Sequence, residues 1–390
     1  MSLSFNNTQI AFAHLSNMQL RKSFYLFKVM NNNHLVSVGT RLTNMALAFR
    51  LPVSPFIRPT FFDHFCGGET LEDSKDNIAA LGKYNVKTLL DYSVEGKETD
   101  TDFDHSLQQL LAGVAFAKNN PYVPVVVAKI TGMARFSLLE QYHAGETLQP
   151  KQQKQWTRLR ERLHTLCKAA QQANIILYFD AEESWIQIAL DDLISEMMRT
   201  YNREKAIVYN TVQLYRHDRL AYLKAAHRTA QKEGYLLGVK LVRGAYMEKE
   251  RQRAQDKGYP SPIQPDKAAS DHDFDAALSY CIDHIEDIAF CCASHNEVSN
   301  LYLCELMQNH NIPAQHPHVW FAQLYGMSDN LSFNLAHEGY NVGKYLPYGP
   351  LRDVMPYLIR RAQENTSVAG QMSRQLQLFQ KEMIRRGLKY

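Results

Sequence analysis

The sequence predicts a (β/α)8 barrel, and three observations predict it. Eight short runs rich in Val, Ile and Leu recur from residue 86 onward. Stretches of helix length and mixed polarity separate most of them, and polar side chains gather where the runs end. Apolar runs without strict alternation fit parallel strands covered on both sides, and polar groups at strand C-termini are where a barrel collects its chemistry.

Taken in order, the runs are 86–92, 122–130, 175–180, 206–215, 236–244, 288–295, 318–324 and 342–346. Helices are expected over 106–118, 152–172, 185–199, 219–232, 274–285 and 298–307, where apolar positions recur at amphipathic spacing. Lys129 closes the second run, Asp180-Ala181-Glu182 the third and Gln213 the fourth. Lys240 and Arg243 mark the fifth, Ser294-His295-Asn296 the sixth, Gln323 the seventh and Tyr345 the eighth. One polar residue at a strand end is usually a cap or a loop contact, but this many at one end of the runs describe a site. A doubly wound sheet is the weaker alternative, because no Gly-x-Gly-x-x-Gly turn follows a strand. The Walker signature and His-Glu-x-x-His are missing as well.

Composition agrees with a large globular chain of 390 residues, 45% apolar and 21% charged. No run of about 18 apolar residues is present, so no membrane-spanning helix is expected. The six cysteines show neither CxxC nor zinc-finger spacing and read as reduced core thiols, and no metal site is expected. The net charge of +3 gives no argument for nucleic acid, but it is unevenly spread. Residues 1–62 hold Arg21, Lys22, Lys28, Arg41, Arg50 and Arg58 with no acidic residue, a local +6, which leaves −3 for the rest. Three readings of this stretch stay open: a cleaved transit peptide, a segment lying on an anionic membrane surface, and a helical arm packed on the main domain. The organisation expected is a basic N-terminal helical extension over 1–62, a barrel over 63–370 and a C-terminal helical tail over 371–390.

The most informative segment is 344–365. Tyr357 precedes Arg360 and Arg361 by three and four residues, and Glu364 follows them by four and three, so the four side chains border one helical stripe. Two guanidiniums beside a phenol offer fork-shaped donors to a small carboxylate, and Glu364 can hold one fork in place. Pro350 suits the first turn of this helix. A solvated charged face is the bland alternative, weakened by the apolar run that comes before.

Lys240-Leu-Val-Arg-Gly-Ala-Tyr246, Asp180-Ala-Glu182, Ala293-Ser-His-Asn296 and Tyr345-x-Pro-Tyr-Gly followed by Tyr-Leu-x-Arg-Arg-x-x-Glu-Asn resemble proline dehydrogenase, over roughly residues 58–370. The resemblance implies a distorted barrel holding FAD at its C-terminal face, with the last helix over the site, and the single-activity form of the enzyme. It implies oxidation of L-proline to Δ1-pyrroline-5-carboxylate, with amine deprotonation and hydride transfer from C5 to flavin N5, as the first step of proline degradation to glutamate. Arg360, Arg361 and Lys129 would take the carboxylate, and Tyr345 and Tyr357 would wall the ring. Gln213 would meet the isoalloxazine edge and Lys240 the N5 region. Ala181, Val242, Arg243, Gly244, Ser294 and His295 would complete the cofactor contacts, and Asp180 would fix Lys129 or Lys240 through a buried ion pair. The chain departs from the bifunctional bacterial form, which has Arg where Lys240 stands and Lys where Arg243 stands, and the two are not equivalent donors.

The resemblance also implies membrane quinone as electron acceptor and pyrroline-5-carboxylate dehydrogenase as pathway partner. The expected place is the cytoplasmic face of a bacterial inner membrane or, in a eukaryote, the mitochondrial matrix and inner membrane. Hydroxyproline dehydrogenase is the nearest enzyme alternative, disfavoured because its position matching Tyr345 looks like Ser. A methylenetetrahydrofolate reductase-like flavin barrel has no need of an Arg-Arg clamp, and a scaffold without activity would have lost the strand-end polar groups.

Overall fold

A computed structural model describes residues 3–32, 34–37, 39–41, 57–93, 98–367 and 371–389. Eight parallel strands close into a barrel in chain order: β1 Val86–Tyr92, β2 Val125–Ala128, β3 Ile176–Phe179, β4 Val208–Gln213, β5 Leu237–Val242, β6 Ile288–Ala293, β7 Val319–Leu324 and β8 Val342–Tyr348. Each apolar run became a strand. The second is shorter than expected because Lys129 leads into a 3-10 turn, Ile130–Gly132.

The six expected helices form, most of them longer than their apolar periodicity suggested. Asp100–Lys118 starts early because the Thr99 hydroxyl accepts from the Asp102 amide, and Lys267–Asp283 because the Asp266 carboxylate accepts from the Ala269 amide. Among the described residues, four other helices of eight or more residues were not expected: Lys75–Gly82, Phe136–His143, Met247–Lys257 and Asp329–His337. Three are short, and Met247–Lys257 is so polar that it shows no apolar stripe to detect.

The chain forms two compact units, residues 94–322 and residues 1–93 with 323–390. In the first, register fixes which side chains share a face. Tyr178 pairs with Tyr209, Thr211 with Lys240 and Lys240 with Cys291, so these residues point one way. Asn210 points the other way and donates to Asp191 of helix Gln187–Tyr201, which makes the Tyr178 and Lys240 face the lumen.

In the second unit, helix Asn17–Met30 buries Leu20, Phe24, Phe27 and Met30 in one apolar cluster with Val354, Leu358, Phe379 and Met383. That cluster draws on helices Leu351–Ser367 and Gln371–Arg385. The described part of the basic N-terminal stretch is thus packed by one face, while Arg50 lies outside the described residues. Strand β1 pairs with β8 from Val86 opposite Val342 to Tyr92 opposite Tyr348. At Gly343 a Cβ would sit 1.9 Å from a methyl of Leu89, so a larger residue would displace that buried side chain. No described helix is long and apolar enough to cross a membrane.

Candidate active site

Within residues 94–322, the lumen is plugged by Tyr178 and Tyr209, whose ring centroids are 5.0 Å apart. Above this floor Lys240 forms an ion pair with Asp180, and both side chains are largely buried. The Asp180 amide donates to the Ala128 carbonyl at 2.9 Å, which puts the carboxylate at the top of β3 beside the end of β2. Lys129 follows β2 at the level of Asp180 and is half-buried. Lys240 is one of the two lysines that the resemblance implied as partners for Asp180. Cys291, cross-strand from Lys240, has its thiol pushed up to about 12 by burial and offers no thiolate.

Gln213 ends β4 on the same lumen face. Its amide nitrogen donates to the Glu182 carbonyl at 2.8 Å, which turns Oε1 away into a buried position with no hydrogen-bond partner. A buried acceptor left unsatisfied is costly, of order 1–3 kcal/mol, so Oε1 is a candidate to accept from a ligand donor. The half-buried Ala181 follows Asp180, and Glu182 is anchored by the Thr131 hydroxyl at 2.6 Å.

Arg243 leaves β5 on the outer face. Its Nε donates to Asp271 at 2.7 Å, Nη1 to the Ser294 hydroxyl at 2.9 Å and Nη2 to the Ser299 hydroxyl at 2.9 Å, with the guanidinium 4.3 Å from the Phe274 ring centroid. Asp271 and Ser299 escaped sequence reasoning because they sit on helices without a motif. Ser294 is in turn oriented by the Asn296 amide, which donates to it at 3.1 Å, and His295 beside it is half-buried. The Val242 carbonyl accepts from the Leu214 amide at 2.8 Å. Gly244 has φ +144°, and a Cβ there would come 2.4 Å from the Tyr215 ring, so only glycine lets the chain turn at this strand end.

The second unit carries the other half of the expected residues. Pro350 stands just before helix Leu351–Ser367 and not in its first turn: its carbonyl accepts from the Asp353 amide at 2.8 Å. Pro356 lies inside the helix, so the Arg352 carbonyl loses its usual donor one residue before Tyr357. Tyr357 and Arg361 are buried, Arg360 is half-buried, and the Arg361 guanidinium lies 5.3 Å from the Tyr357 ring centroid. Glu364 belongs to the helix, and its side chain lies outside the described residues. Strand alternation sends Tyr345 to the opposite face from Lys344. The Tyr345 carbonyl accepts from the Tyr325 amide at 3.0 Å. Lys344 is buried against Asp329 at 2.7 Å, and Asp329 also lies 3.4 Å from His14. Burial alone would raise the Asp329 carboxyl, but Lys344 and His14 hold it well below the usual carboxylate range. Asp329 was not foreseen, since its partner lies fifteen residues later on another element.

The fold is a (β/α)8 barrel that carries a buried ion pair and an oriented amide at the C-terminal ends of its strands. A sequence profile of the proline dehydrogenase family matches residues 74–374, and the chain belongs to that family, whose members are oxidoreductases acting on proline. It is 32% identical to proline dehydrogenase 2, mitochondrial, of Arabidopsis thaliana over 85% of this chain and 78% of that one. It is equally 32% identical to the carbapenem antibiotics biosynthesis protein CarD of Pectobacterium carotovorum subsp. carotovorum, over 83% of each chain. Among solved structures, proline utilization A (PutA) from Bdellovibrio bacteriovorus inactivated by N-propargylglycine superposes with a TM-score of 0.73 at 21% identity over 93% of this chain, a likeness of fold. The chain spans 38% of the length of that structure.

Proposed function

We propose that this chain oxidises L-proline to Δ1-pyrroline-5-carboxylate using FAD, as the first step of proline degradation to glutamate, and passes the electrons to membrane quinone. The observation that carries the cofactor reading is the orphaned Gln213 Oε1 on the face that bears the Lys240–Asp180 pair. An isoalloxazine edge presents an N–H to such an acceptor, and a cation beside the ring suits the negative charge that accumulates on reduction. FAD, when bound, supplies the acceptor for the hydride leaving C5 of proline. Asp180 holds Lys240 in place through their ion pair, and Gly244 and Ser294 would stand against the phosphate-bearing portion, with Ala181, Val242 and His295 beside them. Arg243, tethered at all three nitrogens, serves by holding Ser294 in place.

Arg360 and Arg361 take the proline carboxylate in charge-assisted bonds, with Lys129 adding a cation, Tyr345 and Tyr357 walling the ring and Glu364 steadying a guanidinium. Pyrroline-5-carboxylate dehydrogenase is the partner that receives the product. The place of work is the cytoplasmic side of an inner membrane in a bacterium, or the mitochondrial matrix in a eukaryote, within the main barrel over 63–370. Purified protein given L-proline and an artificial acceptor should form a cyclic imine that o-aminobenzaldehyde traps. Absence of trapped product with flavin fully loaded would refute the assignment.

Two variants test the roles. Lys240→Met should lower the flavin potential and slow flavin reduction by at least tenfold, with proline affinity little changed, as read by spectroelectrochemistry and stopped-flow absorbance. An unchanged potential with weaker proline binding would move Lys240 into the substrate site. Tyr345→Ser should narrow the kcat/KM preference for proline over trans-4-hydroxyproline, because ring packing is lost for one substrate and a clash relieved for the other. A fixed ratio would put specificity elsewhere.

A further inference from the structure

Helix Met247–Lys257 follows β5 and has almost nothing apolar to pack with: the two side chains it buries are Ala254 and Glu250, and Glu250 is 0% exposed. A surface helix ordinarily docks through an apolar stripe, so a carboxyl group serving as the inward anchor calls for a reason. Its partner lies on the loop after β3. Glu250 Oε1 accepts from the Ser184 amide and Oε2 from the Ser184 hydroxyl, both at 2.6 Å, so one carboxyl group takes both donors of one residue. The contact is flanked on both sides. Lys249 forms an ion pair with Glu183, and the Arg253 guanidinium lies 4.2 Å from the Trp185 ring centroid, so Glu183, Ser184 and Trp185 meet one side of the helix.

Ser184 stands four residues beyond Asp180 and two beyond Glu182, whose carbonyl accepts from the Gln213 amide nitrogen at 2.8 Å. The Glu182 side chain is tied down from the other direction, accepting from the Thr131 hydroxyl at 2.6 Å. We infer that Glu250 is a positioning residue for the lumen site: by fixing Ser184 it holds the Glu182 carbonyl in place, and that carbonyl holds the Gln213 amide with Oε1 turned to accept from a ligand. The inference rests on the flavin reading proposed above and adds to it a residue that acts through others. Apolar packing would accept several placements of the loop, whereas two bonds from one carboxyl group to one serine specify a single placement. Stability alone would be served as well by an apolar pair of the same shape.

The test compares Glu250→Leu, which removes both bonds at similar volume, with Glu250→Gln, whose amide can accept from the Ser184 N–H and donate to its hydroxyl oxygen. Hydrogen exchange of the purified full chain should show residues 181–186 losing about tenfold in protection in Glu250→Leu and keeping it in Glu250→Gln. FAD titrated into each protein should bind Glu250→Leu about 2- to 12-fold more weakly than wild type, the equivalent of one neutral hydrogen bond, and bind Glu250→Gln with wild-type affinity. In a Gln213→Leu background, Glu250→Leu should weaken FAD binding no further, because the bond it acts through is already gone. Ser184→Ala, which removes one donor and keeps the backbone bond, should fall between wild type and Glu250→Leu, and it gives the same reading if Glu250→Leu does not fold. Unchanged exchange in Glu250→Leu, a Glu250→Gln that behaves like the leucine variant, or losses that add in full with Gln213→Leu would each overturn the inference. A wild type that binds no FAD would refute the flavin reading, while the exchange comparison decides independently whether Glu250 fixes the loop.

Discussion

Lys344→Met should lower the free energy of unfolding by about 3–5 kcal/mol, the cost of leaving a buried charge without its partner. Lys344 has a side chain 1% exposed and ion-pairs with an Asp329 that is 11% exposed. Methionine fills the same volume, so the loss is electrostatic and not a cavity. The effect has a pH signature. The Asp329 carboxyl is held below its unfolded value of 3.8, so its contribution is present above that pH and is lost as pH falls below it. The gap between variant and wild type in urea titrations should therefore be full at pH 7 and shrink below pH 4. A loss under 1 kcal/mol at pH 7, or a gap that does not change with pH, would contradict this account of the pair.

Arg360→Met and Arg361→Met should each raise the KM for proline by about 10- to 150-fold, the equivalent of one charge-assisted bond of about 1.5–3 kcal/mol. The effect of Arg361→Met should be the larger, because this guanidinium is buried beside Tyr357 and a donor held there has lost little freedom to lose again. Flavin content should be unaltered in both, measured from the absorbance ratio of the purified variants. Unchanged proline kinetics in both would remove the clamp from the account.

Much of the barrel was legible because parallel strands buried on both faces leave an apolar run that needs no partner to be seen. Strand ends such as Asp180, Gln213 and Lys240 were legible for the complementary reason, as polar groups interrupting those runs. What stayed hidden depends on register and on distant elements. The outward turn of Arg243 to Asp271 and Ser299 follows from which face of β5 it occupies, and one residue of slippage would reverse it. Asp329 and His14 join Lys344 from separate parts of the chain, and no local periodicity connects them. Pro356 within helix Leu351–Ser367 was passed over because the apolar and basic spacing around it is helical on its own.

We propose that the lumen face bearing Lys240, Asp180 and Gln213 holds a flavin that proline reduces. The most direct test is the absorption spectrum of the purified protein before and after L-proline is added without oxygen. A flavin band that bleaches with L-proline and persists with D-proline is the predicted result. A flavin that binds and is not bleached by L-proline, or a protein that takes up no flavin while folded, would contradict the claim.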